Sequence, residues 1–155
     1  MIPFRIVAIP TEVAAQVRKS QVAPVYGHPA HTEVAAGYGP CRHCLQTFDI
    51  GQEQRILFTY DPFQGIEDIP LPGPIFIHAL ACDRYPEHKG YPQDMLPHAA
   101  VLTAFSKGQR FIGRVQVNEG SHVAAIQKLL ERADVDYIEV RDKEAGCYDF
   151  RIERD

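Results

Sequence analysis

The sequence predicts an α+β domain built mainly on an antiparallel sheet, with two helices packed on one face and long loops rich in proline and glycine. Three observations predict this class. Residues 148–153 alternate apolar and charged side chains, which is the pattern of a strand with one face in water. Residues 55–60 form an almost unbroken apolar run, as a central strand does. Apolar residues recur at helical spacing in residues 12–19 and 121–133, and strand-rich chains with so few helices favour α+β.

The N-terminal part alternates short elements with long loops. Residues 4–9 are apolar and β-branched and predict a strand. Thr11 is placed to cap the helix at residues 12–19. Residues 24–40 are rich in Pro, Gly and His, so we expect a loop there, with one short strand at residues 33–36.

The middle of the chain continues in the same way after the strand at residues 55–60. Residues 61–74 contain four prolines and predict a loop, and residues 75–78 predict the next strand. Residues 83–97 again read as a loop. The segments 100–105 and 110–117 then predict a hairpin with Gly108 in its turn.

The C-terminal third begins with Ser121, which is placed to cap the second helix. Residues 135–140 predict a strand, and residues 143–146 turn the chain into the last strand. The alternation in that last strand predicts that Asp149 faces water.

Length and charge narrow the class of protein. At 155 residues the chain has the usual size of one domain, which we expect to span residues 1–155. Sixteen basic and twenty acidic residues give a net charge of −4, which argues against binding to nucleic acid. The start carries no basic leader and no run reaches the ~18–20 apolar residues of a membrane span, so we expect no membrane partner and a cytoplasmic location. Cysteines in such a reducing compartment are free thiols or metal ligands.

The most informative feature is the placement of cysteine and histidine. Cys41 and Cys44 form a C-x-x-C pair, and His78 and Cys82 form an H-x-x-x-C pair. Three thiols and an imidazole are a ligand set that tetrahedral zinc accepts. A tight turn brings the sulfurs of a C-x-x-C pair together. His78 and Cys82 would converge on a helical turn through residues 79–81, whereas a continuous strand would separate them.

Other interpretations of these residues stay open. The four side chains could simply pack in the core, since cysteine is often buried. Cys41 and Cys44 could form a redox dithiol, with His43 stabilising a thiolate on Cys41, although no βαβ unit precedes them. If only three of the four side chains bound a metal, an open position could activate water. No spacing singles out a general base, so catalytic residues stay unassigned.

Arg42 and Tyr60 are the candidate ligand-binding residues. Arg42 lies between the cysteines, where its planar fork could bind an anionic group or offset thiolate charge. Tyr60 closes an apolar strand beside an aromatic-lined turn, where it could contact a ligand or pack in the core. Cys147 follows Gly146 at a strand start and is expected to be a packed thiol.

Several short segments are specific in combination. They are GPCRHCL at residues 39–45, LFTYDPF at 57–63, GPIFIH at 73–78, AGCY at 145–148 and RIER at 151–154. Together they resemble a bacterial family known as domain of unknown function 1203, and the resemblance covers nearly the whole chain. It implies a bacterial single-domain protein. It also implies that the Pro-Cys-Arg segment is shared more widely than the full metal set, so Cys41 and Arg42 are the better candidates for a family-wide role.

These observations predict a general class of function and no specific ligand. We expect a zinc-stabilised cytoplasmic domain that binds a small anionic ligand or a partner protein, with a second copy of the chain in a homodimer left open. The alternative is a small metal- or thiol-dependent enzyme, a hydrolase or oxidoreductase, centred on Cys41 and His78.

Overall fold

Antiparallel pairing organises the whole chain, which we describe from a computed structural model over residues 1–63 and 71–155. The elements are β1 (Phe4–Val7), α1 (Thr11–Ser20), β2 (His31–Val34), β3 (Gln54–Tyr60), β4 (Gly73–His78), β5 (Ala100–Ser106), β6 (Arg110–Val117), α2 (His122–Leu130), β7 (Tyr137–Asp142) and β8 (Tyr148–Arg154), with a short 3-10 helix at Gln93–Met95. The predicted α+β class with mainly antiparallel strands is confirmed. The predicted loop at residues 61–74 lies partly outside the described residues.

The described strands form two sheets. The larger sheet has the order β1-β8-β7-β5-β6, and the smaller has the order β2-β3-β4. All of these pairings are antiparallel.

Each sheet has its own apolar cluster and its own helix. On the larger sheet, α2 buries Ile126 and Leu130 with Leu102, Val140 and Phe150. The smaller cluster joins side chains of α1, the smaller sheet and the C-x-x-C loop; among them are Ala14, Val17, Ile56, Phe58, Ile75, Ile77, Cys41 and Cys44. The two predicted helices therefore pack in separate clusters, and the cysteines belong to the smaller one.

Ser121 is the N-cap residue of α2, as predicted, but Thr11 is not the cap of α1, and neither cap position has a side-chain capping bond. Pro10 occupies the cap position of α1, and Thr11 begins the helix without a side-chain capping bond. Ser121 precedes α2, but its hydroxyl donates to the carbonyl of Asn118, 2.8 Å away. The hydroxyl of Thr11 instead contacts the ring of His43, with Oγ1 3.0 Å from Nε2.

Of two further local predictions, the turn at Gly108 is confirmed and the exposure of Asp149 is wrong. Gly108 has a φ of +73° in the turn between β5 and β6, as predicted. Asp149 was expected to face water, but it is buried because the side chain of Arg42 covers it. Neither α1 nor α2 is long and apolar enough to cross a lipid bilayer.

Candidate metal centre

The C-x-x-C segment forms a closed loop. Pro40 pairs with Thr47 in an isolated antiparallel bridge. Within it, the amide of Leu45 donates to the carbonyl of Cys41 at 2.7 Å, and the amide of Cys41 donates to Gln46 at 2.9 Å. Leu45 adopts a φ of 57°, a left-handed conformation that normally favours glycine, and its fully buried side chain offsets that cost. The turn directs the sulfurs of Cys41 and Cys44 toward one point.

His78 and Cys82 come together by a bend and not by a helix. β4 continues to His78, and residues 79–82 are not helical, so the helical-turn interpretation was wrong. Arg18 of α1 holds the bend closed. Its Nε donates to the carbonyl of His78 at 3.0 Å, and its Nη2 donates to the sulfur of Cys82 at 3.2 Å.

The four side chains therefore converge. One ligand atom from each of Cys41, Cys44, His78 and Cys82 lies within 4.8 Å of all the others. The sulfurs of Cys41 and Cys82 are 3.8 Å apart, and the sulfur of Cys44 is 3.4 Å from His78 Nδ1. Tetrahedral zinc, with Zn–S near 2.3 Å and Zn–N near 2.05 Å, places its ligand atoms about 3.8 Å apart for two sulfurs and about 3.5 Å for sulfur and nitrogen. The two separations agree with this geometry, so the group could hold a metal ion.

Glu53 orients the imidazole of His78. Its Oε2 lies 2.9 Å from His78 Nε2, so the N–H at Nε2 is held toward the carboxylate and Nδ1 faces the sulfurs. A carboxylate behind a histidine ligand is the usual outer partner of a protein metal site. Hydrogen bonding to Cys41 and then Cys82, with the charge of Glu53 adding, raises the pKa of His78 to about 10.

The cluster favours a thiolate at Cys41. Burial opposes ionisation of this thiol, but hydrogen bonds with Cys44, Cys82 and His78 together outweigh it and lower the pKa of Cys41. The same hydrogen bonds, with Cys41 first and Cys82 second, raise the pKa of Cys44. The backbone amide of His78 also donates to the sulfur of Cys41 at 3.3 Å. Such a negative centre attracts a proton or a metal ion.

His43 serves Cys82 and not Cys41. Its Nδ1 lies 3.2 Å from the sulfur of Cys82, and its Nε2 lies 3.0 Å from Thr11 Oγ1. Burial lowers the pKa of His43, which favours the neutral ring. We expected His43 to contact Cys41, but its ring contacts Cys82, which lies 39 positions later in the sequence.

Three residues around the cluster were not found from the sequence. Thr11 and Arg18 are seven positions apart and so share one face of α1, which was the available signal. Glu53 precedes β3 and carries no local pattern that marks it.

Arg42 points away from the sulfurs. Its Nε donates to the carbonyl of Tyr148 at 2.8 Å, its Nη1 donates to Pro40 at 2.6 Å, and its Nη2 lies 3.2 Å from Asp149 Oδ1. Only 3% of its side chain is exposed. Burial raises the pKa of Asp149 to about 7, although the Arg42 charge lowers it. An anion at Arg42 would have to compete with these interior partners.

Tyr60, the second candidate ligand-binding residue, packs its ring against Tyr148 with centroids 6.0 Å apart. Burial raises the pKa of Tyr60, which keeps the phenol neutral. Ligand binding by Arg42 or Tyr60 stays a prediction. Cys147 was expected to be a packed thiol, but it is only half-buried and lines a cavity.

A family model described as "Protein of unknown function (DUF1203)" matches residues 38–154. The matched segment contains the four convergent side chains but not Thr11 or Arg18. No curated protein and no solved structure gives a match.

Proposed function

The chain belongs to the DUF1203 family, as its motifs predicted, and we propose that it is a small binding domain whose fold is held together by one zinc ion. Cys41, Cys44, His78 and Cys82 are the proposed ligands. The observation that carries the proposal is their spacing, since the 3.8 Å and 3.4 Å separations match the edges of a zinc tetrahedron.

The donor set favours zinc over magnesium and calcium. Three sulfurs and one imidazole nitrogen are soft ligands, whereas magnesium and calcium take oxygen. Three thiolates around Zn²⁺ leave one excess negative charge. The guanidinium of Arg18, 3.2 Å from the sulfur of Cys82, supports the proposal by offsetting that charge inside the protein.

The geometry supports a structural role for the metal. Four protein ligands fill a tetrahedral ion, and a catalytic zinc needs one position for water or substrate. Cys41 and Cys44 are 0% and 6% exposed, so solvent has little access to that side. Both points argue against the enzyme alternative centred on Cys41 and His78.

A structural ion here would join two segments that are far apart in sequence. The C-x-x-C loop would be fixed to the end of β4 and, through Arg18, to α1. Because such a site does not exist in the unfolded chain, the free energy of metal binding becomes free energy of folding. Thiol ligands must stay reduced for this, which suits the cytoplasm.

Elemental analysis of protein purified without a metal-affinity tag tests the proposal. We expect one zinc per chain in the wild type, loss of zinc in Cys44→Ser, and full zinc in the control Cys147→Ser. Cys147 lies outside the cluster, so its variant reports any general effect of losing a thiol.

A second measurement covers the case in which Cys44→Ser fails to fold. When a chromophoric chelator removes the metal from wild-type protein, one zinc should appear as three thiols become reactive. Cys147 should react before chelation, because it is partly exposed. Protein without metal under reducing conditions, with all four thiols titratable from the start, would overturn the proposal.

A further inference from the structure

A cleft lies between the smaller sheet and the turn that joins β7 to β8. It consists of two adjoining cavities of about 260 Å³ and about 460 Å³. Both are walled by Pro74 on one side and by Asp142, Ala145 and Cys147 on the other. No proposed metal ligand lines either of them.

The inner cavity is suited to an apolar group. Leu57 and Phe76 of the smaller sheet line it together with Tyr38 and the shared residues. Arg42 also borders it, but interior partners take its nitrogens. Since pockets for drug-sized ligands hold about 300–1,000 Å³, an inner cavity of about 260 Å³ fits a single ring or a short branched chain.

Arg141 lines the outer cavity, and one nitrogen of its guanidinium has no acceptor among the described residues. Arg141 pairs through Nε with Glu139, and its Nη1 donates to the carbonyl of Gly146 at 3.0 Å. Its Nη2 is buried and has no hydrogen-bond partner among residues 1–63 and 71–155. A buried guanidinium N–H without an acceptor is unfavourable because it has lost its hydrogen bonds to water. A ligand that supplies an acceptor here would remove that cost.

The remaining charges of the outer cavity favour an anion. Arg114 and Lys143 line it, and neither forms an ion pair with a described carboxylate. Arg114 makes a weak contact, at 3.4 Å, with the hydroxyl of Thr103, and its guanidinium lies 5.8 Å from the centre of the Phe111 ring. The two acids of the wall are already engaged, Glu139 by Arg141 and Asp142 by the amide of Ala145 at 2.6 Å. The described residues of the wall therefore carry a net charge of one positive unit, which suits a carboxylate better than a phosphate dianion.

We propose that this cleft binds a small monocarboxylate with an apolar body. The carboxylate lies against the guanidinium of Arg141, with Arg114 and Lys143 at the entrance, and the body fills the inner cavity beside Leu57 and Phe76. The inference rests on the binding role proposed above and names its ligand class. It does not depend on which metal the cysteines hold.

Calorimetric titration of zinc-replete protein with phenylacetate and isovalerate tests the inference. At least one should bind saturably, and the matching neutral amide should bind at least tenfold more weakly. Arg141→Gln should weaken the carboxylate at least tenfold. Arg110→Gln, which removes an exposed arginine of β6 outside the cleft, should leave it unchanged.

A second variant avoids the buried Glu139–Arg141 pair. Ala145 is exposed and lines both cavities, so Ala145→Trp should block the inner one and abolish binding without disturbing the core. No saturable binding of either carboxylate, equal binding of the amide, or equal competition by inorganic phosphate would overturn the inference.

Zinc content, measured on every sample, separates the two proposals. Full zinc content with no carboxylate binding would refute the cleft proposal and leave the zinc proposal standing. Carboxylate binding by protein that holds no metal would refute the zinc proposal and leave the cleft proposal standing.

Discussion

Replacing Arg42 by alanine tests whether this residue holds the fold together or serves a ligand at the surface. The guanidinium bonds two carbonyls and faces the carboxylate of Asp149, and both charged side chains are 3% exposed. Arg42→Ala leaves the acid buried without its counter-ion. It also leaves the carbonyls of Tyr148 and Pro40 without this donor.

The expected loss of stability is large. Removing one partner of a buried ion pair costs about 3–5 kcal/mol. For a domain of 155 residues, each kcal/mol lowers Tm by roughly 2–4 °C, so Tm should fall by about 6–20 °C. Arg42→Met combined with Asp149→Leu should recover most of the loss, because an apolar pair of similar size replaces a buried ion pair at little cost.

The loss should also depend on pH. Burial holds the pKa of Asp149 near 7 in the folded chain, against about 3.9 in an unfolded one. Between those values the folded state binds more protons, so stability falls as pH rises. Without Arg42, which lowers this pKa, the folded pKa rises further. As the pH rises above 7, the unfolding free energy of Arg42→Ala continues to fall, whereas that of the wild type no longer does. The difference in stability between the two proteins therefore increases with pH.

Urea unfolding of zinc-saturated protein at pH 6 and pH 8.5 measures both effects. Arg110→Ala, an exposed arginine of β6, is the matched control and should change stability by less than about 0.5 kcal/mol. If Arg42→Ala costs less than about 1 kcal/mol, or costs the same at both pH values, the buried ion pair does not hold this loop in place.

Two further predictions concern the metal centre. Glu53→Gln should lower zinc affinity about 10–100-fold in chelator competition, since the outer carboxylate orients His78 without binding the ion. The unfolding free energy of the zinc-bound protein should fall by about 1.4–2.7 kcal/mol, which is the same loss of affinity expressed as free energy. Chelation should loosen the two clusters unequally, because the cysteines belong to the smaller one. Hydrogen exchange of metal-free protein should show lost protection at Ile56 and Phe58 and retained protection at Leu102 and Val140; equal loss in both clusters would show one cooperative unit.

The sequence predicted features that depend on local pattern. Apolar alternation and runs placed the strands to within a few residues, and the chemistry of the cysteine and histidine pairs predicted a group that the structure brings together. Gly108 predicted the turn between β5 and β6, because glycine is the residue that most readily adopts the positive φ found there. These signals arise within a few residues of the element that they predict.

Features that depend on distant partners were not predictable in this way. Asp149 alternates with apolar neighbours as a solvent-facing residue would. It is buried because it pairs with Arg42, which lies more than a hundred positions away in the sequence. The division of the strands into two sheets depends on which strands pair, and strand pattern alone does not specify pairing. Glu53 and Arg18 reach the cluster for the same reason, through contacts made by the folded chain.

The C-x-x-C loop connects the two halves of the molecule because its neighbouring residues face opposite ways. Cys41 and Cys44 face His78 at the end of the smaller sheet, whereas Arg42 faces β8 of the larger sheet. The backbone adds two links, since the amide of Arg42 donates to Phe76 at 3.0 Å and its carbonyl accepts from Ile9 at 3.3 Å. The proposed metal and the buried ion pair would therefore restrain the same short segment from two sides. Losing either one releases part of the order that the other needs, so their removal together should cost less than the sum of the separate losses.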